Sequence, residues 1–257
     1  MKADLTGAEQ KKELPRKRGA GRFFEVLFGS FRDLIKLNLL FCCCALPSAA
    51  AFILGFFGVL TGYMYLAAFL ASFPVGGALT SYVFCITKML RDEPGYIWYD
   101  FKRKFLENFR QAAAPGMLSA AFAYAQIFMW GPNLIEETAT DIIRVIIGIV
   151  TLQIFGMVAP YIFLQIAYID IKTSKILKNS LLVSFMNAPR SFLGACTGGA
   201  IWVAFLFLLP DSLLAAPLLA LIGIPISLLL CLIWVWPPVD KQFKIDETLR
   251  ERRDKDK

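Results

Sequence analysis

The 257-residue chain contains no histidine. That removes imidazole activation of a nucleophile, imidazole metal sites and histidine proton relays together. Charge is also scarce, at 18% of residues, where soluble domains carry about 25%. The shortage is uneven. No charged residue lies between Lys36 and Lys88, and charge-free runs follow at 111–135, 145–169, 191–210 and 212–239. No Asp, Glu, Lys or Arg is placed deep in an apolar run. Pumps and ion-coupled carriers keep such groups for function, so this absence argues against both. A phosphate-cradling glycine loop is missing too, which leaves no signature of nucleotide hydrolysis. No catalytic, cofactor-binding or metal-ligating residues can be assigned, no cofactor is implied, and an enzyme is not expected.

Apolar sequence is abundant: 57% of residues are hydrophobic and the mean hydropathy is +0.58. A hydrocarbon core about 30 Å thick takes roughly 20 residues of helix to cross. Four of the charge-free runs fit one crossing each, and the first is long enough for two. The expected fold is an all-α polytopic transmembrane bundle with spans at about 37–57, 62–88, 112–132, 142–169, 192–210 and 213–236. These occupy a membrane domain over 23–239. A basic N-terminal tail, 1–22, is predicted to be disordered, and a charged C-terminal tail covers 240–257.

Charge placement orients the spans. The segments 1–36, 88–110, 170–190 and 240–257 hold 9, 6, 4 and 7 Lys or Arg residues, which is 26 of the 27. The alternate connections hold only Arg144, beside Glu136, Glu137, Asp141 and Asp211. Basic residues stay on the cytoplasmic side during insertion, so both termini are expected there. The basic excess then points to a membrane surface as partner, the lipid bilayer, and not to nucleic acid. A cleaved leader ending near Ser48-Ala49-Ala50-Ala51 is disfavoured, because the polar lead is 36 residues long and the apolar run continues past that site.

All six cysteines fall inside predicted spans. Cys42, Cys43 and Cys44 are consecutive, and adjacent helix positions point about 100° apart, so they pack as small apolar residues and do not converge on a metal.

Three cytoplasmic segments are amphipathic, at about 23–36, 96–110 and 173–187. The second is the sharpest: Phe101, Phe105 and Phe109 repeat every four residues among Lys102, Arg103 and Lys104. Such helices lie at the headgroup level or cap a bundle end. Trp98, Phe101, Lys102, Arg103, Lys104, Phe105, Asn108 and Phe109 form a candidate interface for lipid or a protein partner. Asp92, Glu93, Asp100 and Glu107 alternate with Arg91, Lys102, Arg103 and Lys104 and are expected with them on a solvated face. Ser30-Phe31, Asn108-Phe109 and Ser184-Phe185 recur at intervals of 78 and 76 residues, which raises a threefold parallel repeat of amphipathic helix plus hairpin.

The polar residues at depth are Asn38, Gln126, Gln153 and Gln165. Amides in spans usually bond between helices. The same four form a candidate polar cavity for an uncharged polyol. Gly58 and Gly62 sit at a probable reversal. Pro74, Gly76 and Gly77 interrupt the second span, as a kink or as opened backbone lining a cavity. Gly194 and Gly198 are placed to let another helix of the chain approach closely. Pro237-Pro238 is expected to end the last helix after Trp234 and Trp236.

With this layout in place, Leu37-Asn38-Leu39-Leu40-Phe41 followed by Ala45-Leu46-Pro47 resembles the opening of the YesL-type family of bacterial membrane proteins. Pro74 to Thr80 resembles the family's small-residue stretch, and Phe101 to Ala112, FKRKFLENFRQA, its aromatic-basic helix. Asn38, Pro47, Phe105, Asn108, Phe109 and Gln111 match residue by residue. The long basic lead and the cysteine triplet depart from the pattern. The resemblance implies a multi-pass protein of the bacterial cytoplasmic membrane. The family has no assigned biochemical activity, and its members are often encoded beside carbohydrate-uptake and sensor-regulator genes. It therefore implies a non-enzymatic accessory role in carbohydrate uptake or utilisation, with transporter subunits as partners. A carrier of a neutral solute such as a sugar, and a membrane sensor component, are the alternatives.

Overall fold

The computed structural model describes residues 19–130, 139–169, 171–208 and 219–248. Their regular structure is helical throughout: α1 (Ala20–Gly29), α2 (Phe31–Phe56), α3 (Thr61–Ala71), α4 (Phe73–Leu90), α5 (Ile97–Trp130), α6 (Ala139–Tyr168), α7 (Thr173–Met186), α8 (Ala188–Leu208), a π-helical turn at Leu219–Gly223, and α9 (Ile224–Phe243). Five helices are long and apolar enough to cross a membrane: α2, α4, α5, α6, and α9 counted from Leu221. The start of the expected connection between the third and fourth spans, the reversal at Asp211, most of the N-terminal tail and half of the C-terminal tail lie outside the described residues.

The least apolar of these five helices is the innermost. Within α4, 72% of the apolar window is buried, against 17% for α2 and 22% for α6. The sequence of α4 explains its position. Thr80 and Ser81 donate back to the Gly76 and Gly77 carbonyls, and Thr87 to the Val83 carbonyl, each at 2.9 Å. Its hydroxyls are thus satisfied within the helix, and its small residues let neighbours come close. By contrast α2 exposes Leu39, Leu46 and Ile53, and α6 exposes Ile146, Val150 and Ile154. Apolar rows of that length suit hydrocarbon as their solvent, not water.

Two glycine contacts set the packing. A Cβ on Gly76 would strike the Ala112 carbonyl, and one on Gly116 would strike the Gly76 backbone, so α4 and α5 meet backbone on backbone. On the other side, Cβ positions at Gly194 and Gly198 lie 3.3 Å from the Cys231 carbonyl and 3.1 Å from the Ser227 carbonyl. The expected close approach at this glycine pair is therefore found, with α9 as the partner. The reversal after α2 also stands where the sequence places it, with Gly58 at φ 86° and Leu60 at φ 42°.

Several boundaries differ from expectation. The second span is divided into α3 and α4 at Ser72, whose hydroxyl donates to the Phe69 carbonyl at 2.6 Å. Pro74 occupies the first turn of α4, where its missing N–H costs no helical bond. Gly76 and Gly77 lie inside an intact helix, and their role is contact with α5, not an opened backbone. The expected amphipathic helix 96–110 and the span 112–132 are one 34-residue helix, α5. Residues 110–113, Arg-Gln-Ala-Ala, hold good helix formers and no breaker. At 1.5 Å per residue α5 is about 51 Å long, so some turns stand beyond a 30 Å core. The amphipathic lead 23–36 is split at Ser30, and α9 runs through Pro237-Pro238 to Phe243 with Pro238 and Val239 buried. Packing by neighbouring helices holds a backbone that has lost those two amides. The proposed repeat loses its register: Phe31 opens α2, Phe109 lies inside α5, and Phe185 is next to last in α7.

Candidate functional site

The two ends of the bundle differ chemically. At one end Phe52, Phe56, Tyr65, Tyr124 and Phe128 form an aromatic cluster, with Phe52 and Tyr124 stacked at 4.2 Å. At the other, the end of α4 meets the start of α5 and the ends of α6 and α9 in a network of buried charge. The candidate site lies at this charged end.

Arg91, 3% exposed, is the centre of that network. Its guanidinium lies 5.3 Å from the ring centroids of both Tyr168 on α6 and Trp236 on α9. It donates to the Tyr168 hydroxyl at 3.0 Å and pairs with Glu93 at 3.1 Å and with Asp246 at 3.4 Å. A planar cation between two ring faces, with carboxylates at its edge, suits arginine better than lysine. Arg22 fixes α1 to the same place. It donates to the Leu90 and Met89 carbonyls at 2.9 and 3.1 Å and pairs with Asp92 at 2.6 Å and Glu25 at 3.0 Å. The first two contacts bind carbonyls at the end of α4, where helical acceptors run out of partners, although the Met89 carbonyl also accepts from the Asp92 amide at 3.2 Å. Burial works to lower the Arg22 pKa, but the hydrogen bonds to Asp92 and Glu25 outweigh it and the net shift is upward. Lys88 completes the set, pairing at 2.7 Å with Asp100, which is 4% exposed and also meets Arg103 at 3.5 Å.

This is a correction to the sequence reading, which put Arg91 and Asp100 on a solvated face. Alternating charge along a helix is compatible with solvent, but here the helix ends bring opposite charges together out of water. For Arg91 the signal that could have found it is position, within a turn of the expected span end at 88; Asp100, well before the next expected span at 112, carried no such signal.

The aromatic-basic start of α5 is also placed differently. Phe101 is buried, and Phe105 and Phe109 are half-buried against α4: the Gly77 Cβ position lies 3.2 Å from the Phe105 ring, and Phe109 meets Phe73 edge-on at 5.0 Å. Asn108 is buried and donates to the Lys104 carbonyl at 3.0 Å. The ring row therefore packs against α4, Phe101 fully and Phe105 and Phe109 with part of each ring still exposed. What α5 presents outward is Trp98 and Tyr99, with Lys102, Arg103 and Leu106. Lys104 is turned partly inward, 5.1 Å from the Phe84 ring centroid and 2.8 Å from Glu107. Gln111 donates to the Ile171 carbonyl at 2.5 Å, tying α5 to the start of α7.

The four amides do not share a cavity. Asn38 donates to the Leu221 carbonyl in the π turn at 3.0 Å and accepts from the Tyr82 hydroxyl at 3.2 Å. Gln126 donates to Thr151 at 3.0 Å, joining α5 to α6. Gln153 donates to the Phe192 carbonyl at 3.2 Å, joining α6 to α8. Gln165 is fully buried and donates to Ser180 on α7 at 3.1 Å, while its Oε1 has no partner among the described residues. An amide in a low-dielectric contact takes the nearest group across it, and each here belongs to a different helix pair. At the charged end a shallow cleft of about 320 Å³ is lined by Asp240, Lys241, Lys244, Asp246 and Glu247. Among the described residues no three His, Cys, Asp or Glu side chains group as a metal site. No family model, curated protein or solved structure matches this chain.

Proposed function

We propose that the chain is a six-span protein of the bacterial cytoplasmic membrane, with both termini cytoplasmic, that acts as a non-enzymatic docking platform. The observation that carries this reading is the charged end itself. Its ionic groups hold helix ends together, while Trp98, Tyr99, Lys102 and Leu106 stand outward on the rigidly seated first turns of α5. Rigid aromatic and cationic groups of this kind suit a protein interface. The orientation is supported by the gathering of the basic-rich segments at this end. A sixth crossing is supported by the 21 residues of α8, which run beside α9.

The YesL-type resemblance extends the proposal to carbohydrate uptake, with transporter subunits as the docked partner. The carrier alternative has less support, because the amides on which it rests are taken up in separate helix contacts. Affinity purification at native abundance, after extraction in a mild detergent, tests the platform reading. Transporter subunits should co-purify, and Trp98→Ala with Tyr99→Ala should release them. Recovery of the protein alone would overturn it.

A further inference from the structure

Helix α7 and its flanks bring basic residues to the charged end without acidic ones beside them. Residues 171–190 include Lys172, Lys175, Lys178 and Arg190 and no acidic residue. All four basic residues are exposed, and none makes an ion pair among the described residues. Several cations elsewhere at this end meet carboxylates: Arg22 with Asp92, Lys88 with Asp100, Arg91 with Glu93, Lys104 with Glu107. Even Lys36 and Lys244 have an acid one turn away.

The outward face of α7 also changes along its length. Ile176, Ser180, Val183 and Ser184 are buried against the bundle. On the opposite face Lys175 and Lys178 come first, and Leu182, Phe185 and Met186 follow, at 58%, 59% and 68% exposure. A cationic half and an apolar half therefore follow one another along one helix face. Met186 ends the helix one residue before α8, which begins at Ala188.

We propose that this face of α7 is a binding site for an anionic phospholipid. The headgroup phosphate is held by Lys172, Lys175 and Lys178, and an acyl chain lies along Leu182, Phe185 and Met186. A free phosphate would use only the first half and an apolar protein segment only the second, whereas a lipid uses both. Lysines that keep no internal counter-ion take one from the leaflet. The site is distinct from the outward face of α5 and rests on the membrane reading, though not on any protein partner.

The test uses the full-length protein reconstituted in phosphatidylcholine bilayers, with spin-labelled phosphatidylglycerol or phosphatidylcholine as the probe. The motionally restricted fraction of each label reports lipid at the protein surface. The native chain should prefer the anionic label by about threefold or more, and 0.5 M salt should abolish the preference. The triple variant K172Q/K175Q/K178Q should bind both labels alike, while the control K36Q/K241Q/K244Q should keep the native preference. A native chain without preference, a triple variant that retains it, or a control that loses it equally would overturn the proposal. So would displacement of the label by inorganic phosphate or poly-glutamate beyond the effect of chloride at equal ionic strength. Restricted phosphatidylcholine in all samples shows the protein embedded, which separates failure of the site from failure of the membrane reading.

Discussion

Replacing Gly76 with alanine adds one carbon atom where there is no room for it. The new Cβ meets the carbonyl oxygen of Ala112, its carbonyl carbon at 2.6 Å and the Gly116 Cα at 3.0 Å. All three are backbone atoms, so no side chain can swing aside, and α4 and α5 must separate. Overpacking a close-packed interior costs about 1–3 kcal/mol where side chains can adjust, and backbone obstruction places Gly76→Ala at the upper end or beyond. The displacement also lifts Phe105 from Gly77, where ring and Cβ position are 3.2 Å apart. At roughly 2–4 °C per kcal/mol for a chain of this size, the thermal midpoint in detergent should fall by about 6–12 °C. Gly116→Ala attacks the same crossing from the other helix, so the double variant should lose less than the sum of the two. Gly199→Ala is the control: its Cβ meets nothing within 4 Å, and alanine's helix propensity makes it neutral or slightly stabilising. Midpoints would be followed by size-exclusion chromatography of heated, detergent-solubilised protein. If Gly76→Ala melts with the native chain, or if the two variants add fully, the backbone crossing does not hold the bundle together.

Asp100→Asn removes the partner of Lys88 and should cost about 1.5–3 kcal/mol; adding Lys88→Met, which removes the stranded charge, should recover part of the loss in the same melting assay. Arg91→Lys keeps the charge but gives up the planar stack between Tyr168 and Trp236, for a loss of about 1–2 kcal/mol; a midpoint equal to native would show that charge alone suffices. Phe105→Asp puts a carboxylate against Gly77 and should cost about 3–5 kcal/mol or more, seen as loss of monodisperse protein from the membrane fraction. Normal abundance with only local protease sensitivity would mean that the start of α5 is a detachable surface helix after all.

The apolar runs made most of the membrane architecture legible. Spans declare themselves because hydrocarbon requires about 20 consecutive apolar residues. The buried face of α7 was not readable from apolar spacing: it is Ile176, Ser180, Val183 and Ser184, while Leu177, Leu181 and Phe185 are exposed. Nor was the crossing at Gly76 and Gly116. Gly76 looks like a helix breaker in one dimension, and only the neighbour reveals it as a contact. Gly194 and Gly198 were legible because the four-residue spacing puts both on one face within a single helix. The ring row of α5 illustrates a limit of a different kind. Phe101, Phe105 and Phe109 define an apolar stripe, but a stripe does not say whether lipid, a partner or its own α4 covers it. Arg91 and Asp100 were missed because ion pairing joins residues distant in sequence: Asp246 lies 155 positions beyond Arg91.

The packing at the charged end also bears on how a docked partner would act. The outward side chains Trp98 and Tyr99 stand on α5, and α5 meets α4 through backbone at Gly76 and Gly116 and through Phe105 at Gly77. Close-packed interiors resist continuous deformation and change shape only between discrete arrangements. A partner pressing on the start of α5 therefore loads α4 directly, and no soft layer lies between them. Lys88 and Arg91 at the end of α4 carry that load to Asp100, Tyr168, Trp236 and Asp246. A sensor would need one of these contacts to have two states of similar free energy. Asp246, just beyond the end of α9, meets Arg91 at 3.4 Å, while its backbone N–H donates to Asp240 at 2.8 Å and its neighbour Ile245 is buried. Arg91 keeps its two ring faces, Tyr168 and Glu93 if that contact opens. The end of α9 is thus fixed to α4 and to its own last turn, and a platform that passes load as a rigid unit requires less of this fold than a bundle that rearranges.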